Sequence, residues 1–248
     1  MKKILVISVL AIIGTFMFGQ GSQPRWEPES TEWYHPVPPV VTTGEIVSRT
    51  PPSDAIVLFD GTDFSAWETR DGEEVKWKIV DGAMVVEPGT GDILTKEFFG
   101  DCHLYIEWRT PAVVEGDGQN RGNSGVFLQN TYEVQILDSY ENETYVNGQA
   151  GSIYKQKAPM VNASRPPGEW QVFEIIWRAP IFGTDGILEY PATITVLHNG
   201  VLIHDNFVLK GHTPHTGLPR YVPHGRLPIR LQDHRTKNEF RNIWIRNL

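Results

Sequence analysis

The strongest constraint in the chain is a two-residue alternation of apolar and polar side chains, repeated in short runs and cut by turn residues. Between Cys102 and Arg109, Cys102, Leu104, Ile106 and Trp108 fall on one side, and His103, Tyr105, Glu107 and Arg109 on the other. Successive side chains of a strand point to opposite faces, so such a run is a half-buried strand. Val75 to Val80 leads through Asp81-Gly82 into Ala83 to Val86, a hairpin signal. His198-Asn199-Gly200 is another hairpin turn, between Thr193–His198 and Val201–Leu209. Ser124–Gln129, Tyr132–Asp138, Trp170–Arg178, Pro228–His234 and Phe240–Ile245 read as further strands. No window sustains helical periodicity. The 23 glycines and 18 prolines supply the breaks. The pattern implies an all-β chain, either a two-sheet antiparallel β-sandwich or a closed barrel. Long loops at 111–123, 139–152, 157–169 and 211–226 are the usual carriers of function on such a scaffold.

The N-terminus has a different character. Lys2-Lys3 precede an apolar run from Ile4 to Phe18, which is long enough for a secretory signal and short for a spanning helix. Residues 1–20 are therefore expected to be a signal peptide, and the mature protein to be secreted or periplasmic, with no membrane span after cleavage. Residues 21–54 are rich in proline and hold Trp26, Trp33 and Tyr34. The prolines forbid a regular element, and an extended lead-in packed on the domain by its aromatics is expected. Residues 55–248 form the β-domain. One cysteine, Cys102, excludes an internal disulfide framework and is expected to be inert. A net charge of −8 makes nucleic acid a poor partner.

Four strands carry polar groups where apolar ones would serve. Glu107 and Arg109 share a face, as do Glu133 and Gln135, and as do Arg230, Gln232 and His234; Arg241 adjoins Asn242. If these strands are neighbours, their faces join into one surface of carboxylates, amides, guanidinium groups and an imidazole. Such a surface suits a polyhydroxylated ligand, since carboxylates accept from sugar hydroxyls, arginine donates and glutamine does both. Asp138 falls on the opposite face from Glu133, which gives it a structural role. No nucleotide loop or other cofactor motif is present. Asp92, Asp117 and Asn120 are the candidates for a divalent ion such as calcium, although their spacing matches no EF-hand loop. His212 and His215 lie three apart in a Pro/Gly loop and make a weak metal signal. Asn142 and Asn162 open glycosylation sequons.

Leu58-Phe59-Asp60-Gly61, Trp77-Lys78-Ile79-Val80-Asp81-Gly82, Tyr132-Glu133-Val134-Gln135-Ile136-Leu137-Asp138, Leu231-Gln232-Asp233-His234 and Phe240-Arg241-Asn242-Ile243 stand in an order that resembles the bacterial 3-keto-disaccharide hydrolase domain family. The likeness runs from about Ala55 to Leu248. It implies a concanavalin A-like or laminin-G-like jelly roll with a concave polar face. It also implies action on glycosides that a partner sugar 3-dehydrogenase has oxidised at carbon 3. Thr236 and a long loop over 181–190 depart from the family pattern.

A 3-keto sugar offers an elimination route, because the ketone acidifies the proton on carbon 2. On this reading His234 is the base, Glu133 a second acid/base group, and Arg109 and Arg241 stabilise the enolate. Glu107, Gln135, Gln232 and Tyr154 would hold hydroxyls, and Asn123 completes the binding set. Two other readings stay open: a lectin-like carbohydrate-binding module without catalysis, and a conventional glycosidase using Glu107 and Glu133 as its two carboxylates.

Overall fold

The computed structural model of the protein describes residues 25–45 and 47–248. The expected signal segment and the first residues of the lead-in lie outside the described residues. Among those described, no helix is long and apolar enough to cross a membrane.

The domain is a two-sheet antiparallel sandwich. Its first strands are β1 (Ile56–Phe59), β2 (Trp67–Thr69), β3 (Lys78–Val80), β4 (Ala83–Val85), β5 (Ile93–Phe99) and β6 (Cys102–Arg109). The middle is built from β7 (Ser124–Leu128), β8 (Tyr132–Ile136), β9 (Gln171–Arg178), β10 (Ile181–Phe182) and β11 (Leu188–Tyr190). It closes with β12 (Thr193–His198), β13 (Val201–Val208), β14 (Leu227–Leu231) and β15 (Glu239–Asn247). One sheet has the order β13-β12-β9-β6-β15-β4-β3, with β1 paired to β15. The other has five strands in the order β2-β5-β14-β7-β8. Strands β10 and β11 form a small ribbon over the long 181–190 loop. Both sheets end in open edges, so the sandwich holds and the barrel does not.

The hairpin turns form where expected. Asp81 and Gly82 (φ 50° and 75°) join β3 to β4, and Asn199 and Gly200 (φ 52° and 80°) join β12 to β13. Both turns need two successive residues at positive φ, which asparagine or aspartate followed by glycine adopts at least cost. The alternating apolar residues meet between the sheets. Leu104, Ile106 and Trp108 of β6 pack in one cluster with Val134 and Ile136 of β8 and Ile229 and Leu231 of β14. Cys102 joins that core, and burial pushes its thiol up to about 12, well out of the reactive range.

Among its described residues the lead-in has a 3₁₀ turn at Pro28–Thr31 and no strand, and it does pack on the domain, but not through its aromatics. Trp26, Trp33 and Tyr34 remain 41–57% exposed. Polar contacts hold it instead. Val146 N donates to Trp33 O, Asn162 N to Pro39 O, and Val41 N to Asn162 O. Farther on, Asn242 donates to Ser48 Oγ and to Arg49 O, both at 2.9 Å.

Candidate active site

Strand parity sends Val134 and Ile136 of β8 into the core and Glu133 and Gln135 to the outer face of the five-stranded sheet. On β14 it sends Ile229 and Leu231 inward and Arg230 outward. There the outward side chains line a depression of about 240 Å³ with Asn123, Phe127, Tyr154, Thr213, His215, Gln232 and His234. Six residues named from sequence thus meet: Glu133, Gln135, Tyr154, Asn123, Gln232 and His234.

Glu133 sits at the floor, only 5% exposed. Burial pushes its carboxyl up to about 8; Arg230 opposes the shift and Asp92 adds to it. It is therefore mostly a neutral acid at pH 7. Gly125 explains how the group fits. It lies opposite Gln135 in the β7–β8 ladder, and a methyl group there would collide with Glu133 Oε1 and Phe127 Cε2. The Gln135 amide reaches Glu133 Oε1 at 2.9 Å with its nitrogen turned to the acid, or Gln119 Oε1 at 3.1 Å with its nitrogen turned away. The first orientation suits a carboxylate, and the second lets a protonated Glu133 donate to the amide oxygen.

The other groups are braced from outside the cavity. Arg230 lies over the Phe127 ring at 3.4 Å and donates to Asp92 Oδ2 at 2.6 Å. Asp233 accepts from Gly89 N (2.7 Å) and Gly91 N (2.9 Å), which fixes the turn that carries His234. Gln232 is pinned to β7 at both backbone atoms, its N donating to Gly125 O (3.1 Å) and its O accepting from Ser124 Oγ (2.7 Å). Tyr154 OH meets His215 Nδ1 at 3.2 Å and Tyr145 OH at 2.8 Å. Two buried polar atoms of this lining, Arg230 Nε and Gln232 Oε1, have no partner. Buried polar groups are ordinarily satisfied, so two unpartnered atoms in one lining are unusual.

Three residues named from sequence are elsewhere. Glu107, Arg109 and Arg241 belong to β6 and β15 of the larger sheet, whose outer face is separated from the cavity by the whole core. There Arg241 Nε donates to Glu107 Oε2 at 2.7 Å and Arg109 to Glu239 at 2.7 Å, while both guanidinium groups lie over the Trp170 ring. Glu107 is fully buried beneath Ser48, Asn242 and Arg241. Burial raises its pKa, but hydrogen bonds from those three outweigh burial and leave it below the ordinary value. It is an anchor for the lead-in. Pairing Glu107 with Glu133 as two carboxylates about one bond is thereby ruled out in a single chain.

His215, Arg230, Thr213 and Phe127 join the cavity although sequence reasoning gives them no part in catalysis or sugar binding. Arg230 is visible in the polar trio of β14. His215 comes from a Pro/Gly loop, where its only local signal is the weak metal spacing with His212. Asp138 accepts from Arg121 Nε at 2.6 Å and from Tyr140 N at 3.2 Å, a structural role as expected. Asp92 is engaged by Arg230, and among the described residues no three His, Cys, Asp or Glu side chains converge as a metal site. The sequon amides of Asn142 and Asn162 are both engaged, donating to Asp138 O (2.7 Å) and Ser139 O (2.8 Å).

A solved structure described as a "putative glycosyl hydrolase" from Parabacteroides distasonis is 50% identical, with 89% of this chain and 96% of that chain covered and a TM-score of 0.79. A second structure from that organism, with the same description, is 22% identical over 78% of this chain and 94% of the other, with a TM-score of 0.58, and shares the fold. No curated protein sequence matches. A family model described as the 3-keto-alpha-glucoside-1,2-lyase-like domain matches residues 54–246. The chain belongs to that family.

Proposed function

We propose that the protein is an exported enzyme that cleaves glycosides already oxidised to the ketone at sugar carbon 3, by elimination followed by hydration. The observation that carries this reading is a buried carboxyl, its pKa raised by burial, sharing one small cavity with an imidazole and a guanidinium group. A binding module needs only hydrogen bonds and stacking, whereas a carboxyl with a raised pKa beside an imidazole in one cavity is the arrangement of acid/base chemistry.

His234 takes the proton from carbon 2, and the electron pair moves onto the ketone oxygen as an enolate. Arg230 stabilises that oxyanion, the part assigned from sequence to Arg109 and Arg241. When the ketone re-forms, the carbon 1–oxygen bond breaks, and the proton of Glu133 goes to the departing oxygen. Glu133, now a carboxylate, takes a proton from the water whose oxygen bonds to carbon 1, and His234 returns its proton to carbon 2, so both groups are restored. Gln135, Gln232, Asn123 and Tyr154 hold sugar hydroxyls. The reading needs no cofactor, and the oxidised substrate is the product of a sugar 3-dehydrogenase.

The test is incubation with a 3-keto-glucoside and with its unoxidised parent, followed by mass spectrometry. Cleavage of the ketone alone, with an unsaturated keto sugar seen before the hydrated product, is expected. Rapid cleavage of the parent overturns the elimination route, and binding of both without cleavage makes the protein a lectin-like module. A second expectation concerns the seat of the acid. Gly125→Ala should lower kcat/KM about 10²-fold, the scale of a misplacement of about 1 Å. A variant that keeps wild-type kcat/KM places the acid's seat elsewhere.

A further inference from the structure

We propose that residues 28–33, which precede the family domain, are a working part of the active site: they clamp Lys155, and through it hold Tyr154 and His215 at the cavity. The proposal rests on the cavity being the active site, and extends it to a segment outside the matched domain.

Lys155 is the hub. Its side chain is only 2% exposed, yet it is held by three oxygen acceptors. Nζ donates to Pro28 O at 2.8 Å and to His215 O at 2.9 Å, and lies 3.2 Å from Glu32 Oε1. Two of these three belong to the lead-in, and the third is the backbone of the cavity histidine. The ammonium group also lies 5.3 Å from the centre of the Tyr145 ring and 5.7 Å from that of Tyr154. Charge so deeply buried is costly unless every donor is met, so removing either lead-in acceptor loosens the whole group.

The clamp has a second hold. Asn147 Oδ1 accepts from Trp33 N at 3.0 Å, and its Nδ2 donates to Thr31 O at 2.9 Å. Asn147 O in turn accepts from Lys155 N at 2.8 Å, so the same turn is gripped through backbone and side chain. Lys155 has a left-handed backbone (φ 55°), a conformation that a lysine keeps only when its surroundings insist on it.

The consequence reaches the cavity through Tyr154. Its hydroxyl meets His215 Nδ1, which leaves Nε2 as the ring nitrogen open to a ligand. Tyr154 N donates to Glu133 O at 3.2 Å, so the same residue borders the buried acid. Lys155, Glu32 and Asn147 are thus positioning residues, acting through His215 and Tyr154.

The experiment compares full-chain Lys155→Met, Lys155→Arg and Glu32→Gln with the wild type. Turnover of a 3-keto-glucoside and the imidazole NMR signals of His215 are recorded for each. Lys155→Met should lower kcat/KM at least tenfold and shift the His215 signals, with partial recovery of both in Lys155→Arg. Glu32→Gln keeps the shape of the acceptor and should give a smaller change in the same direction; it carries the comparison if Lys155→Met does not fold. Unchanged His215 signals in Lys155→Met, or in Glu32→Gln where that variant stands in, overturn the proposal. If the wild type cleaves no 3-keto-glucoside, the proposed function fails while the His215 signals still decide the clamp.

Discussion

Glu133→Gln should lower turnover of a 3-keto-glucoside by about 10² or more, the range for loss of a positioned acid. Glutamine keeps the size and polarity of the side chain at its seat over Gly125, so what is lost is the proton. The pH profile carries the same information. With its carboxyl near 8, the wild type keeps the acid form at pH 7 and loses it as pH rises through about 8. Activity in the wild type should fall along that limb, and the variant should lack it.

Stability should respond with the opposite advantage. The unfolded chain releases this proton around the ordinary value of 4.5, while the folded chain keeps it until about 8. Between those values the folded state binds more protons, so this group's contribution to stability is whole below 4.5 and is lost as pH rises through 8. The amide that Glu133→Gln introduces does not titrate. The melting temperature of the variant relative to the wild type should therefore rise from pH 5 to pH 9. A variant with wild-type turnover, or a difference in melting temperature that stays level with pH, refutes the neutral buried acid.

The site was half legible in the sequence, for a physical reason. Alternation along one strand states which side chains share a face, and it placed Glu133 with Gln135, and Arg230 outward on β14; Gln232 and His234, expected on that strand, lie past its end at Leu231 and reach the cavity from the following turn. It does not state which of two sheets a strand enters. That choice is made by crossovers such as β6 to β9, which join residues far apart in sequence. Glu107, Arg109 and Arg241 obey the same alternation and point outward just as expected, but from the other sheet. The tight turns were legible because positive φ is a local property. The place of His215 was not, because it depends on Tyr154 and Lys155, about 60 positions away in a separate loop. The prolines announced an extended lead-in, and nothing local announced that Lys155 and Asn147 would grip it.

His234→Ala is the sharper test of who starts the reaction. The turn that carries it owes its shape to neighbours: Asp233 N donates to Asp92 Oδ1 at 3.0 Å, and Asp233 Oδ1 accepts from Arg235 N at 2.8 Å. Removing the imidazole leaves that frame standing, so lost activity reports lost chemistry. A fall in kcat of about 10²–10⁴ is expected. Exchange of the carbon 2 proton with deuterated solvent should fall with it, since abstraction is the step the proposed route assigns to His234. Glu133→Gln should instead block departure of carbon 1's oxygen while exchange at carbon 2 persists. The cavity holds a second imidazole, which makes the outcome discriminating. If His234→Ala retains exchange and His215→Ala abolishes it, the base is His215, with Tyr154 fixing its tautomer, and the assignment to His234 is wrong.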